Sequence, residues 1–331
     1  MRKMLVTGGA GFIGSEFVRQ AALEKSNKII VIDKLSYAGD LERLAELKDK
    51  YTFYNSDIRD KKNISRIFSK EKPDIIVHFA AETHVDRSIL DGTIFIESNI
   101  KGTQILMDAA RAIGTPRFIH ISTDEVYGEI RKGKFLEESP FRPNSPYAVS
   151  KAGADLLVQS YIRTYNFPAI IIRASNNYGP WQYPEKFIPV IIAKIMNGEK
   201  IPVYGKGLQC REWLYVSDCA EAVRFVTENG KIGESYNIGS GIEKTNIAVA
   251  KKTLNALGKN NSHIEFVQDR PGHDFRYALN IKKIKELGWS PKIDFTEGIT
   301  KTVQWYKDNS PWLMSKMNSI KKYWKKVYKK I

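Results

Sequence analysis

Cysteine is nearly absent from this 331-residue chain: Cys210 and Cys219 are the whole complement. Nine residues apart, they match neither a metal knuckle nor a CxxC redox pair. No metal is expected, and both read as core thiols in a reducing cytoplasm. Long apolar runs are missing as well. Nothing approaches the ~18 apolar residues of a membrane span, and the stretch Met4-Leu5-Val6 ends at once in Thr7-Gly8-Gly9, too short for a secretory segment. Internal repeats, long linkers and low-complexity tracts are also lacking. With 42% hydrophobic and 27% charged residues, collagen-like and wholly disordered readings fall away.

Acidic residues are absent from residues 311–331, which carry seven lysines and so nearly half of the formal charge of +15. Ile320, Trp324, Val327 and Ile331 recur there at helical spacing. Two readings stand: a basic amphipathic helix on an anionic membrane surface, or a solvated terminal helix, which is preferred. Nucleic acid is not expected as a partner, because much of the basicity belongs to this tail.

What is there is alternation. Strand patterns at Met4–Thr7, Lys28–Asp33, Thr52–Asn55, Ile75–Ala80 and Arg117–Ser122 are interleaved with helical patterns at Ile13–Leu23, Asp40–Lys50, Lys61–Lys70 and Phe95–Ile113. Short strands alternating with helices predict right-handed βαβ units, hence an α/β, Rossmann-type doubly wound parallel sheet. A further buried strand is predicted at Ala169–Arg173, and helices at Tyr147–Tyr165 and Asn246–Leu257. Between Ala174 and Arg211 proline and glycine break the rhythm. The expected division is a dinucleotide-binding domain over 1–173, receiving segments near 212–240, and a smaller C-terminal substrate-binding domain over 174–331.

Thr7-Gly8-Gly9-Ala10-Gly11-Phe12-Ile13-Gly14 follows the first strand and opens the first helix. In such a fold Gly8 permits a tight turn, Gly11 lets backbone amides approach a pyrophosphate, and Gly14 allows close helix–strand contact. Asp33 ends the second strand, where a carboxylate accepts from ribose hydroxyls and repels a 2′-phosphate, favouring NAD over NADP. Lys34 and Arg59 are the neighbouring cations that a 2′-phosphate would need. Asp57 and Ile58 are placed at the adenine edge, and Ala80 at the end of the fourth strand.

Tyr147 and Lys151 leave one face of a predicted helix four residues apart. A nearby ammonium together with a bound nicotinamide cation would lower the phenol from its ordinary value near ~10 and make it a base. Taken alone, such a pair also suits a surface helix. Ser122-Thr123-Asp124-Glu125 lies at the carboxyl end of a strand, where open α/β sheets place their ligands. Two adjacent carboxyls there could divide acid and base work, or form a solvated acidic turn or helix cap.

With these residues placed, the chain resembles the extended short-chain dehydrogenase/reductases, and within them the dTDP-glucose 4,6-dehydratase family. The resemblance runs through TGGAGFIG, VIDKLSYAG, FAAETHVDRSI, HISTDEVYGE, SPYAVSKAGAD, SNNYGPWQYPEKFIP, REWLYVSD, YNIGSGIEKTN, DRPGHDFRYAL and LGWSPKIDFTEGI. The Thr123-Asp124-Glu125 triplet distinguishes this family from the 4-epimerases, which lack both acids, and from the decarboxylases and GDP-mannose dehydratases, which have serine at position 124. Trp181, Tyr183 and Glu212 depart from the usual Tyr, Phe and Asp, and the basic tail lies outside the pattern.

The resemblance implies dTDP-glucose as substrate, with transient C4 oxidation by bound NAD, loss of water across C5–C6 and reduction at C6. It implies Tyr147, Lys151 and Thr123 acting at O4, Glu125 as base at C5 and Asp124 as acid at O6. For the sugar nucleotide it suggests Asn177, Lys186, Tyr204, Arg211, Asn246, Arg270 and His273, with His84 and Arg87 lining the cleft. It also implies a homodimer through the helices Phe95–Ile113 and Tyr147–Tyr165, whose Gly102, Ala109, Ala152 and Ala154 would permit close approach. The rival readings are a UDP-glucose dehydratase, an epimerase or decarboxylase of the same fold, and an NAD-binding scaffold recruited through its basic tail.

Overall fold

A computed structural model describes residues 1–114 and 117–327. Its strands run β1 (Arg2–Thr7), β2 (Asn27–Asp33), β3 (Tyr51–Asn55), β4 (Ile75–His78), β5 (Arg117–Thr123), β6 (Ala169–Ala174), β7 (Asn176–Tyr178), β8 (Ile201–Tyr204), β9 (Cys210–Tyr215), β10 (Ser235–Ile238), β11 (Glu243–Thr245) and β12 (Ile264–Val267). Seven of them form the main sheet in the order β10-β6-β5-β4-β1-β2-β3. Every pairing in it is parallel. The strand order reverses beside β1, so the loops after β1 and β4 diverge and open a crevice at the carboxyl edge.

The period of two in these strands sorts their side chains between two helical layers. Met4, Val6, Ile29 and Val31 join Phe17, Val18, Ala220 and Val223 on one face. Leu5, Ile30, Ile32 and Ile76 join Ile64, Phe68, Leu106 and Val158 on the other. Burying each large apolar side chain contributes ~1.5–3 kcal/mol, and doing so on both faces explains why the central strands lack polar alternation. The remaining strands form small sheets, β11-β9-β7 and β12-β8.

The helix Pro146–Tyr165 starts sharply: Ser145 accepts from the Ala148 amide at 3.1 Å and Pro146 occupies the first turn. Two helical expectations need correction. Residues 40–50 do not make an α-helix; Leu41–Leu47 is a 3-10 helix. Arg43 binds it to distant backbone, donating to the carbonyls of Ala10 at 2.8 Å, Ala38 at 2.6 Å and Trp181 at 2.9 Å. The pattern at 95–113 also breaks, into a wide π-turn over Ile96–Lys101 and an α-helix over Gly102–Ala112. The π-turn holds Asn99, whose side chain accepts from the Glu82 amide at 2.9 Å and donates to the Glu82 carbonyl at 3.0 Å. Inserted turns of this kind re-aim a side chain at a site.

The terminal helix (Ser310–Val327) corrects both readings of the tail. Its apolar stripe, Trp312, Leu313, Met317, Ile320 and Trp324, is buried in a cluster with Tyr178, Trp213, Phe295 and Tyr306. Trp312 packs 5.2 Å from Trp181 and 5.6 Å from Trp305 between ring centroids. The face that was to be solvated or to meet a membrane is thus occupied by the chain itself. Ile331 lies outside the described residues.

The small residues expected at a dimer face need a third correction. Gly102, Ala109, Ala152 and Ala154 are buried within the chain, Gly102 against Ile58. The same two helices instead expose Ile96, Val149 and Leu156.

Candidate active site

The crevice is lined along one arm by Gly8, Gly11, Phe12, Ile13, Gly14, Asp33, Lys34, Asp57, Ile58 and Ala80. Gly8 has φ +69°, and a Cβ there would sit 2.6 Å from the Ala80 amide nitrogen; one at Gly14 would sit 2.2 Å from the Gly8 carbonyl oxygen. Only glycine suits these two positions. The first helix, Phe12–Ala21, starts at Gly11 with no side-chain cap, which leaves its first amides without a capping side chain, as a helix start that receives an anion requires.

Asp33 accepts from the Ala10 amide at 3.1 Å and the Leu35 amide at 2.9 Å. Burial nevertheless pushes its carboxyl above the ordinary value, against those amides and the charges of Arg43 and Lys34. Neither neighbouring cation is uncommitted. Lys34 Nζ lies 2.8 Å from Glu82 Oε1, and Arg59 grips Asp57 at 2.8 Å and Glu97 at 2.7 Å. Burial works against the Asp57 charge, but the hydrogen bonds from Arg59 outweigh it and hold this carboxyl below its usual range. With Asp33 facing the crevice and both cations paired, the arm fits the ribose of NAD better than a 2′-phosphate.

The other arm is lined by Thr123, Asp124, Glu125, Tyr147, Lys151, Asn177 and Lys186. β5 ends at Thr123 and the chain turns at once into a short 3-10 helix, Asp124–Tyr127, which lets consecutive carboxyls share one cavity. Asp124 Oδ1 accepts from the Thr123 hydroxyl at 3.1 Å, while Oδ2 has no partner among the described residues. Burial, then the charges of Glu125 and Glu212, push Asp124 well above its ordinary value. Glu125 is raised by burial too, but Arg270, Arg211 and Lys186 pull it back. The two acids are thereby unlike in proton affinity, Asp124 holding its proton the harder.

Tyr147 is raised by the protein groups around it. Burial and the Glu125 charge push its phenol up, opposed by a hydrogen bond from Thr123. One turn on, the Lys151 ammonium donates to the Ile121 carbonyl at 2.6 Å. Burial lowers Lys151 to about 8, with Asp155 pulling the other way. One turn on, Asp155 lies 2.8 Å from Arg173 and 3.3 Å from His120, a buried charged floor beneath the helix.

The expected sugar-nucleotide residues divide. Asn177 and Lys186 line the cavity; His84, Tyr204, Arg211, Asn246, Arg270 and His273 do not. Four of these six gather beside Glu125 and Lys186. Arg270 and Tyr204 share Asp86 at 2.9 and 3.1 Å, the rings of Tyr204 and His273 lie 5.9 Å apart, and Arg211 stacks 4.2 Å from the Tyr277 ring centre while donating to the Asp274 carbonyl at 2.8 Å. Asn246 begins a helix capped by Thr245, not by itself. His84 is buried behind the wall, where Nε2 faces the Glu185 carbonyl oxygen at 3.1 Å.

Several lining residues escaped the sequence reading: Arg43, Glu82, Ser175, Asn176 and Glu185. The adjacent pair Glu185-Lys186 in a proline-flanked loop was the one available signal. Ser122 Oγ, Ser175 Oγ and Asn176 Oδ1 are buried without a partner among the described residues, as polar groups reserved for ligands would be.

A parallel sheet with a glycine-turn groove at its strand-order reversal, and a Tyr/Lys helix facing it, defines a nucleotide-dependent enzyme of the short-chain dehydrogenase/reductase type. The family model described as GDP-mannose 4,6 dehydratase matches residues 5–302. A dTDP-glucose 4,6-dehydratase of Streptomyces niveus is 48% identical, over 94% of this chain and 94% of its own. The solved dTDP-glucose 4,6-dehydratase DesIV of Streptomyces venezuelae, with NAD and dTDP bound, superposes with a TM-score of 0.91 at 45% identity, covering 94% of this chain and 98% of that one. The UDP-glucose 4-epimerase of Thermus thermophilus, with NAD, reaches a TM-score of 0.87 at 31% identity, covering 92% and 99%. The chain belongs to the dTDP-glucose 4,6-dehydratase family.

Proposed function

We propose that the protein converts dTDP-glucose to dTDP-4-keto-6-deoxyglucose with loss of water, using a resident NAD. The observation that carries this reading is the Asp124–Glu125 pair: a buried acid and a partly buried one, of unequal proton affinity, on the same cavity wall as Tyr147. An epimerase needs one base for O4. A dehydratase needs in addition an acid for a departing hydroxyl and a base for a carbon proton.

NAD would be held by the Gly8–Gly14 turn, Asp33 and Lys151, and when bound it would take up the C4 hydride and later give the same hydride to C6. Tyr147 would receive the O4 proton as its phenolate, a form that the Thr123 hydrogen bond favours and that a bound nicotinamide cation would favour further. The resulting ketone acidifies C5–H. Glu125, whose carboxylate is favoured by Arg270, Arg211 and Lys186, takes that proton and gives it back to C5 once C6 is reduced, and Asp124, kept protonated by burial, delivers its own to O6 as water departs. Arg211 and Arg270 supply paired donors to the diphosphate. We further propose a substrate-binding part formed mainly by residues 174–331, a cytoplasmic location, and a homodimer through the exposed Val149 and Leu156 face. No helix among the described residues is long and apolar enough to cross a membrane.

Mass spectrometry of dTDP-glucose and, separately, UDP-glucose after incubation with the purified protein tests the reading. The expected result is loss of one water from dTDP-glucose without net NADH absorbance. Thymine and uracil differ by one methyl, worth ~1 kcal/mol, so UDP-glucose should react more slowly. An unchanged mass with a galactose-configured product would replace the dehydratase by an epimerase.

A further inference from the structure

The terminal helix does more than cover a core. At its amino-terminal end Trp312 Nε1 donates to Asp40 Oδ2 at 2.8 Å, and Lys316 Nζ reaches the same oxygen at 2.7 Å. At its other end Tyr323 meets the segment that follows β4, where Glu82 and Thr83 line the cavity. The Tyr323 hydroxyl lies 3.1 Å from His84 Nδ1, and the two rings meet edge-on with centroids 5.4 Å apart. His84 Nε2 faces the Glu185 carbonyl oxygen. A carbonyl only accepts, so Nε2 carries the imidazole hydrogen and Nδ1 offers its lone pair, to which Tyr323 donates. Burial keeps this imidazole neutral, against the Glu185 charge.

The same phenol ring is half of a sandwich. The Arg87 guanidinium lies 4.3 Å from the Tyr323 ring centre and 4.0 Å from that of Tyr37. Arg87 donates through Nε to Glu185 Oε2 at 3.0 Å, and the Tyr37 hydroxyl donates to Glu185 Oε1 at 2.8 Å. Both carboxylate oxygens and the carbonyl of Glu185 are therefore fixed by side chains, two of which rest on Tyr323. Lys186, the next residue, donates to the Thr83 carbonyl at 2.8 Å and closes the wall.

We propose that Tyr323 is a positioning residue for the substrate cleft, a side chain from the terminal helix that fixes the Glu185–Lys186 wall through His84 and Arg87. This rests on the dehydratase reading, since the cleft is taken to hold the sugar nucleotide. Tyr323 does not line the cavity, so its loss should loosen substrate binding more than the chemical steps.

The test uses the full chain with NAD. Tyr323→Phe keeps the ring over Arg87 and removes only the donor to His84; Tyr323→Leu removes both. One neutral hydrogen bond predicts a KM for dTDP-glucose about fivefold higher in Tyr323→Phe, with kcat within about twofold of the parent and an unchanged melting temperature. Tyr323→Leu should raise KM further. Nitrogen-resolved NMR of the imidazoles should show the His84 Nδ1 signal displaced in Tyr323→Phe while Nε2 stays protonated. Parental KM and an unmoved His84 signal in Tyr323→Phe would overturn the proposal. So would losses in both variants that track falling stability with KM unaltered, the mark of a packing role. Should the parent fail to turn over dTDP-glucose, the reaction assigned above is wrong, and the His84 signal alone decides: displaced, it supports the Tyr323 link; unmoved, it overturns it.

Discussion

The two arms of the crevice are built on opposite plans. The cofactor arm is made of backbone: a glycine turn, an uncapped helix start and one carboxylate, nearly all from the first sixty residues. The substrate arm is made of side chains drawn from segments near 84, 124, 147, 185, 211, 270 and 323, each held by another. Backbone cradles need particular residues only where a Cβ will not fit, whereas side-chain walls depend on contacts between parts of the chain far apart in sequence. A change in the first arm should therefore touch cofactor retention alone, and a change in the second substrate binding and chemistry alone.

Asp124→Asn should show the sharpest separation. Elimination should slow by about 10²–10⁴, while NAD stays bound and NADH absorbance now accumulates on adding dTDP-glucose; stopped-flow absorbance would show it. Gly8→Ala attacks the other arm. Its Cβ would meet the Ala80 amide in a left-handed backbone at φ +69°, and strain plus overpacking predict NAD affinity weakened on the order of 10²-fold. Calorimetry with dTDP should find nucleotide binding intact.

Arg270→Lys keeps a charge beside Asp86 but loses the planar fork, so dTDP should bind about tenfold more weakly with NAD retained. The pH profile probes where the arms meet. Lys151 is lowered to about 8 by burial from an ordinary ~10.4. Between those values the unfolded chain holds a proton the folded chain has released, so this group's contribution to stability grows as pH rises through the window. The charge beside Tyr147 is lost over the same rise, so kcat should fall above about pH 8 while the melting temperature gains from this group. A flat rate to about pH 9.5 would detach Lys151 from the chemistry. Lys316→Ala should matter least, at most ~1 kcal/mol in denaturant unfolding, because Trp312 still holds Asp40.

The same contrast sets what could be read in the sequence. The parallel sheet was legible because buried strands and amphipathic helices write their periods locally, and the cofactor groove because Gly8, Gly11, Gly14 and Asp33 stand at fixed offsets. The Asp124–Glu125 pair was visible as a pair, but its unequal proton affinities depend on Glu212, Arg211 and Arg270, which no local pattern joins to it. Arg43 looked like any surface arginine, although it is buried and bound to three carbonyls. His84 was placed in the cleft by the resemblance and by its position after the fourth strand, yet Tyr323, 239 residues away, turns it aside. The terminal helix misled most: its lysines caught the eye, and its tryptophans settle where it lies.

The position of β10 has a bearing on how the molecule comes into being. This outermost strand of the main sheet pairs with β6, Ser235 opposite Ile171, although some sixty residues of chain intervene. At ribosomal speeds of ~5–20 residues per second, β6 emerges on the order of 3–12 s before the strand that shields it. For that interval the nascent sheet presents the unpaired edge of Ile170, Ile171 and Ile172, a template for pairing with any neighbouring chain. Expression yield should therefore respond to translation speed across codons 175–235 more than across any segment before them.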